Sequence, residues 1–339
     1  MQFIINSWRK IVQRKGEFLL LIIISCTLPL LYLENNYLYL ETPSPCACGH
    51  CLHGKNDSWF SDHFNSSYHP LMSANSSVLS KSTEKWWKGL QRDDKRSNYS
   101  EVVEKLFKVI PNQDHYLDRS PDRCRVCAVV GNSGNLKNSH YGPMIDASDF
   151  VFRMNKGPTE GFEEDVGSKT THRIIYPESA VDAVVTNSTH LVLFPFKTLD
   201  LEWLMSAFTT HNITRTRMRV MSTLKADVNL AMVVNPTFMK YVHHVWLKKH
   251  GKYPSTGFMT VVLALHVCDQ VRVFGFGADR NGRWDHYFER TSKRFKTGHH
   301  GGGFEYNTIK ELNERDIIEM YRGCTILFTV YGGKISLPG

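Results

Sequence analysis

Cys124-Arg125-Val126-Cys127-Ala128-Val129-Val130-Gly131-Asn132-Ser133-Gly134-Asn135 is the stretch on which the fold turns. Val126 to Val130 is a short apolar run that breaks at once into a Gly/Asn loop. A buried strand entering a tight turn reads this way. Gly131-x-x-Gly134 after a strand can offer backbone N–H groups to a phosphate or a ribose. Gly and Asn are also ordinary turn residues. A dinucleotide fingerprint would need G-x-G-x-x-G with an acid about 20 residues further on. Asp149 stands near that distance, but the first glycine pair is missing.

Downstream, residues 149–154, 173–176, 191–196, 232–235 and 270–276 read as further strands. Residues 203–208, 238–249 and 256–267 read as helices. Strands alternating with helices predict an α/β fold with a largely parallel sheet and nucleotide-type loops at the strand ends. Upstream, Trp86, Trp87 and Leu90 recur at helical spacing. Residues 101–110 place Val102, Val103, Leu106 and Ile110 on one face before Pro111. The folded domain is placed at residues 81–323, with 324–339 as a C-terminal extension. Residues 34–80 are rich in Ser, Asn and His without periodicity and are expected to be a loosely packed stem.

The N-terminus decides the compartment. Phe18 to Leu33 is apolar almost throughout, and Arg9, Lys10, Arg14 and Lys15 precede it. At about 1.5 Å per residue this stretch suits a thin membrane. The positive-inside rule keeps residues 1–16 in the cytosol, makes 17–33 a transmembrane signal-anchor and sends the rest to the lumen. A cleaved signal peptide is the alternative, but Leu33-Glu34-Asn35-Asn36-Tyr37 is a poor cleavage site. Six Asn-x-Ser/Thr sequons, at Asn56, Asn65, Asn75, Asn98, Asn187 and Asn212, agree with a lumenal body.

Eight cysteines point the same way. In a cytosolic protein Cys46-x-Cys48-x2-Cys51 with Cys124-x2-Cys127 suggests zinc. In an oxidising lumen the same cysteines, with Cys268, read as disulfides, and the spacing does not choose the pairing. Of 339 residues 42% are hydrophobic and 22% charged, which excludes wholesale disorder and collagen. The formal charge of +8 is half accounted for by the N-terminal cluster. The remainder favours an anionic ligand and is too diffuse for a nucleic-acid surface.

Two further segments could carry chemistry. Tyr253-Pro254-Ser255-Thr256-Gly257 opens the helix at 256–267, where Ser and Thr suit both capping and an anion cradle. His286-Tyr287-Phe288-Glu289 and His299-His300-Gly301-Gly302-Gly303-Phe304-Glu305 offer imidazoles, the second set in an expected flexible, glycine-rich loop. A loop imidazole is a candidate general base. No H-E-x-x-H is present, so zinc catalysis is the lesser reading.

Together these blocks resemble the motifs of the animal sialyltransferases. Cys124 through Asn155 is similar to the large motif. Tyr253 through Gly277 is similar to the small motif, His286–Glu289 to the third, and His300 with Glu305 to the very small motif. Trp86-Trp87, Leu90-Gln91-Arg92, Tyr176-Pro177-Glu178-Ser179 and Lys296-Thr297-Gly298 make the chain resemble the β-galactoside α-2,3-sialyltransferases acting on Galβ1-3GalNAc. The resemblance implies a Golgi membrane enzyme, single-pass type II, with one GT-A-like (Rossmann-like) α/β domain. It implies CMP-N-acetylneuraminate as donor, inversion, no metal or other cofactor, and galactose-terminated O-glycans of glycoproteins as acceptors. Glycolipid acceptors and a homodimer remain open.

Residue by residue, Asn132 and Asn155 are implied to contact the nucleotide. Ser255, Thr256, Gly257 and Gly277 line the cytidine and carboxylate side. His286 meets the donor phosphate, and His300 is the general base. Gln91 and Tyr253 face the acceptor galactose, with Arg217 at a position where relatives carry Tyr. The implied disulfides are Cys46–Cys51, Cys48–Cys124 and Cys127–Cys268. The sequence departs from the family pattern at Arg217, His299 and Gly301–Gly303. The alternatives are a sialyltransferase of another linkage or acceptor, and a lumenal protein that binds CMP-sialate with impaired catalysis.

Overall fold

The computed structural model of the chain describes residues 44–54, 56–91, 97–113, 115–181, 186–279, 282–289 and 300–323. Among the described residues three α-helices, α1 (Ser58–His63), α2 (Lys81–Lys88) and α3 (Tyr99–Leu106), precede the sheet. Then come β1 (Val126–Val130), α4 (Gly142–Asp146), β2 (Phe150–Met154), α5 (Glu163–Val166), β3 (His172–Ile175) and β4 (His190–Leu193). α6 (Thr198–Phe208), β5 (Ala231–Val233), α7 (Pro236–Tyr241), α8 (Thr256–Val267), β6 (Gln270–Phe274), α9 (Gly302–Glu314) and β7 (Glu319–Tyr321) complete the order.

The seven strands form one parallel sheet in the order β5-β4-β3-β2-β1-β6-β7. β1 lies inside it, and Cys127, Ala128, Val129 and Val130 are all buried. That is why its sequence is continuously apolar instead of alternating. The chain walks outward from β1 to β5 and then returns to the other side of β1 as β6. Strand order therefore reverses between β1 and β6, where open parallel sheets carry their ligand crevice.

α8 occupies the range expected, and Phe258 through Val267 are all buried. A helix apolar on every side belongs in a core, and α8 packs against β1, β2, β3 and β6. The Ser255 hydroxyl caps it by accepting from Phe258 N at 3.1 Å. Other boundaries moved. The strand expected at 270–276 ends at Phe274, because Gly275 turns to φ +71°. The helix expected at 238–249 is α7 followed by a π turn over Val242–Trp246.

Two expectations are corrected. The loose packing expected for residues 34–80 does not hold from Pro45 onwards. Leu52, Phe60, Leu71 and Met72 are buried in the main core, and Met72 N donates to Val233 O at 2.7 Å. These apolar residues are too widely spaced to show periodicity, and they are buried by the body, not by each other. The flexible loop expected around His300 is also short-lived, since α9 starts at Gly302 with Gly301 at its N-cap. The periodic residues Ile309 and Leu312 bury this helix, and the glycines only start it.

Disulfides join Cys46 to Cys51, Cys48 to Cys124 and Cys127 to Cys268. These are the pairings the resemblance implies. All six sequon asparagines are exposed. Among the described residues no helix is long and apolar enough to cross a membrane. The anchor at 17–33, the tail at 1–16, His299, Lys296–Gly298 and the extension at 324–339 lie outside the described residues.

Candidate active site

The sheet dictates where the site forms. A cleft of about 310 Å³ opens over the carboxyl ends of the strands at the β1/β6 reversal. β1 delivers Gly131, Asn132 and Ser133 to it, β2 delivers Met154 and Asn155, and β3 delivers Tyr176. β6 delivers Gly275, Phe276 and Gly277, and the start of α8 brings Ser255, Thr256 and Gly257. Trp284 and His286 form one rim; His300, Gly302, Glu305 and Tyr306 form another.

Close approach of neighbouring atoms explains two of the glycines. A Cβ on Gly131 would stand 2.2 Å from Gly275 O, so the β1 and β6 loops could not cross. Gly277 has φ +90°, and a Cβ there would stand 2.4 Å from the Tyr306 ring. Both conditions admit only glycine without a backbone shift.

Backbone hydrogen bonds strap the His286 segment onto the β1 loop. Gly134 N donates to Asp285 O at 2.7 Å and Tyr287 N to Asn132 O at 2.9 Å. The Asn132 amide donates to Met154 O at 3.2 Å, which joins the β1 and β2 ends. Asn155 adopts φ +53°, a conformation Asn tolerates better than most residues. The buried Arg173 guanidinium holds the following turn by donating to Gly157 O at 2.9 Å. Asn155 Oδ1 is buried and has no hydrogen-bond partner among the described residues, which suits a ligand donor.

The imidazoles are oriented from behind. His286 Nδ1 and Glu289 Oε2 are 3.0 Å apart. His300 Nδ1 lies 3.2 Å from Tyr253 O, and a carbonyl can only accept, so Nδ1 carries the proton. Nε2 is then left with its lone pair. The Tyr253 ring stands edge-on to His300 at 5.0 Å. Rings continue outward from it, Phe196 at 5.2 Å from Tyr253 and Tyr176 at 6.1 Å from Phe196.

Glu305 ties the rim to the helix start, since its Oε1 accepts from Ser255 N at 2.7 Å. Burial pushes its carboxyl above the usual carboxylate range, and the Ser255 bonds and the nearby His300 pull the other way. The 300–305 segment thus clamps residues 253–255 twice, once through each end of its motif. The amino ends of α8 and α9 meet at the cleft, which favours an anion there.

Of the residues expected from the sequence, Asn132, Asn155, Ser255, Thr256, Gly257, Gly277, His286 and His300 all line this cleft. Gln91, Tyr253 and Arg217 stand outside its lining, on the Tyr176 side. Arg217 is exposed; its N–H donates to Glu178 Oε1 at 3.1 Å. Its positive charge favours ionisation of the Tyr176 and Tyr253 phenols, although burial keeps both above the usual range. Ser133, Phe276, Trp284 and Tyr306 line the cleft without having been singled out. Ser133 and Phe276 sit inside motifs already quoted; Trp284 and Tyr306 had no signal beyond their nearness to His286 and Glu305.

A parallel α/β sheet with an anion-receptive cleft at its reversal point, flanked by two oriented imidazoles, defines a group-transfer enzyme acting on a nucleotide-type donor. The comparisons make this specific. The profile described as Glycosyltransferase family 29 (sialyltransferase) matches residues 71–317. The Homo sapiens CMP-N-acetylneuraminate-beta-galactosamide-alpha-2,3-sialyltransferase 1 is 44% identical over 298 residues, covering 86% of this chain and 87% of that one. The Mus musculus CMP-N-acetylneuraminate-beta-galactosamide-alpha-2,3-sialyltransferase 2 is 46% identical over 282 residues, covering 82% and 80%. The crystal structure of a mammalian sialyltransferase in complex with Gal-beta-1-3GalNAc-ortho-nitrophenol superposes with a TM-score of 0.78 at 45% identity, covering 83% of this chain and 100% of that one. The chain belongs to glycosyltransferase family 29, the sialyltransferases.

Proposed function

We propose that this protein transfers sialic acid from CMP-N-acetylneuraminate to O3 of the terminal galactose of Galβ1-3GalNAc glycans, inverting the sialyl anomeric carbon. The observation that carries the reading is the meeting of His286 and His300 in one cleft with the residues implied for the donor. In the proposed reaction His300 Nε2 takes the proton of the acceptor O3 as the new C–O bond forms. The bond from the anomeric carbon to the CMP phosphate breaks, and CMP leaves with the electron pair. An imidazolium at His286 donates from both nitrogens, one to Glu289 and the other to the departing phosphate. Backbone N–H groups at the start of α8 meet the same charge. Retention of both imidazoles at the cleft argues against a binding-only protein.

The proposal extends to the GT-A-like assignment, to glycolipids carrying the same disaccharide, and to a Golgi membrane enzyme held by residues 17–33 with the body in the lumen. Three disulfides and six exposed sequon asparagines support a lumenal body. The test is a mass-shift transfer assay with CMP-N-acetylneuraminate and three acceptors: Galβ1-3GalNAc, lactosamine and a ganglioside, each with and without excess EDTA. Product on Galβ1-3GalNAc, periodate-resistant at O3 and insensitive to EDTA, is expected. Product only on lactosamine, or loss with EDTA restored by Mn²⁺, would reject the acceptor or the metal-free mechanism respectively.

A further inference from the structure

A buried ammonium sits behind the acceptor side of the cleft, and the transfer chemistry above does not use it. Lys197 lies between β4 and α6 and is 2% exposed. Its Nζ stands 2.6 Å from Asp200 Oδ1 and 3.7 Å from Glu178 Oε1, and it donates to Gln91 Oε1 at 2.9 Å. Asp200 is fully buried, and its second oxygen accepts from Phe196 N at 2.8 Å. Glu178 Oε1 also accepts from Thr216 Oγ1 at 2.6 Å and from Arg217 N at 3.1 Å. One cation therefore gathers three segments: the chain after α2, the chain after β3, and the turn carrying Arg217.

A carboxamide has a donor end and an acceptor end of nearly the same shape. A neutral neighbour could satisfy either end. An ammonium has three donors and no acceptor, so it admits only Oε1. The Gln91 N–H groups then face away from Lys197 and make no hydrogen bond with the described residues. We propose that Lys197 is a positioning residue for the acceptor: it locks the Gln91 carboxamide so that Gln91 can only donate to a galactose oxygen, and through Glu178 it holds the Thr216–Arg217 turn on the same side. This rests on the reading of Gln91 as an acceptor contact. It makes acceptor recognition depend on a sugar oxygen in the accepting role, and it separates acceptor affinity from donor affinity.

Removing Lys197 alone would strand two buried carboxylates and endanger the fold. The test therefore uses Gln91→Ala, Gln91→Glu and the charge-neutral pair Lys197→Gln with Asp200→Asn. Acceptor KM, donor KM and melting temperature are measured for each, with Galβ1-3GalNAc and its 2-, 4- and 6-deoxygalactose analogues. All three variants are expected to raise acceptor KM about tenfold, as for one lost hydrogen bond, and to leave donor KM unchanged. With the analogue that lacks the addressed hydroxyl, wild type and variants should become equal. Gln91→Glu keeps its acceptor oxygens on Lys197 and loses only the donors. If Gln91→Ala raises acceptor KM and Gln91→Glu does not, the locked orientation is overturned and the acceptor reading of Gln91 stands. If Gln91→Ala changes nothing, that reading itself fails. A paired variant in which donor and acceptor KM rise together as the melting temperature falls would make Lys197 merely structural and overturn the proposal.

Discussion

His300 is the residue on which the proposed chemistry rests. Its Nδ1 is occupied by the Tyr253 carbonyl, and Nε2 keeps the basic lone pair. His300→Ala should lower turnover at least ~100-fold, the scale of a lost general base, while CMP binding by calorimetry persists. Near-normal turnover would remove His300 from the mechanism. Arg217 is the second informative position. Its backbone is tied to Glu178, and its charge is felt at the Tyr176 and Tyr253 phenols, so it stands on the side proposed here for the acceptor. An aromatic ring packs on the apolar face of a sugar better than a guanidinium does. Arg217→Tyr should lower acceptor KM about fivefold with donor KM unmoved, about 1 kcal/mol. Equal acceptor kinetics across Tyr, Ala and Lys would place residue 217 outside the site.

Among the elements, β1 and α8 carry the proposed donor side, and the Cys127–Cys268 disulfide joins the first to the end of the second. Its sequence separation is 141 residues, and the chain-entropy account gives about 4–5 kcal/mol for so long a loop. Both cysteines are fully buried, so alanine is the cleaner replacement. The Cys127→Ala, Cys268→Ala protein should lose several kcal/mol in urea unfolding. It should also bind donor more weakly, because the Gly131 loop and the Ser255 cap lose their common anchor. An unchanged urea midpoint would mean that packing of α8 on the sheet suffices without the bond.

For the whole molecule, buried histidines set the response to acid. Burial lowers His266 to about 4 and His53 to about 3. Both are neutral in the fold, whereas an unfolded chain protonates them near 6.5. A depressed histidine contributes stability that is present above about pH 6.5 and is lost as pH falls toward the folded value. For His266 this is roughly 3 kcal/mol. Burial raises Asp200 to about 6, and the sign is opposite: its contribution is lost as pH rises through that value. His172, His190, His243 and His244 are lowered by burial as well, and Glu305 joins Asp200 on the raised side. Six histidines against two carboxylates give a net fall, so melting temperature should drop between pH 6.5 and 4. His266→Gln should flatten that drop. A melting temperature that is level, or rises, on acidification would contradict it.

Much of this was written in the residues themselves. Val126–Val130 had to be a central strand because a continuous apolar run this short cannot be half-exposed. Residues 256–267 had to be a buried helix, and the Gly131, Ser255, His286 and His300 motifs carry the family resemblance, through which the donor side was expected, in short local stretches of sequence. Three things depended on tertiary structure. The burial of Leu52, Phe60, Leu71 and Met72 requires a surface supplied by other segments, as when Met72 pairs with Val233. The helical start at Gly302 overrides glycine's local preference, because Ile309 and Leu312 gain burial that propensity does not record. Finally, Gln91, Glu178, Lys197, Asp200 and Arg217 are scattered over more than a hundred residues. Only the parallel sheet, by bringing the ends of β3 and β4 side by side, gathers them around the buried Lys197–Asp200 pair, because Coulomb and hydrogen-bond forces act across space and leave no period in the chain.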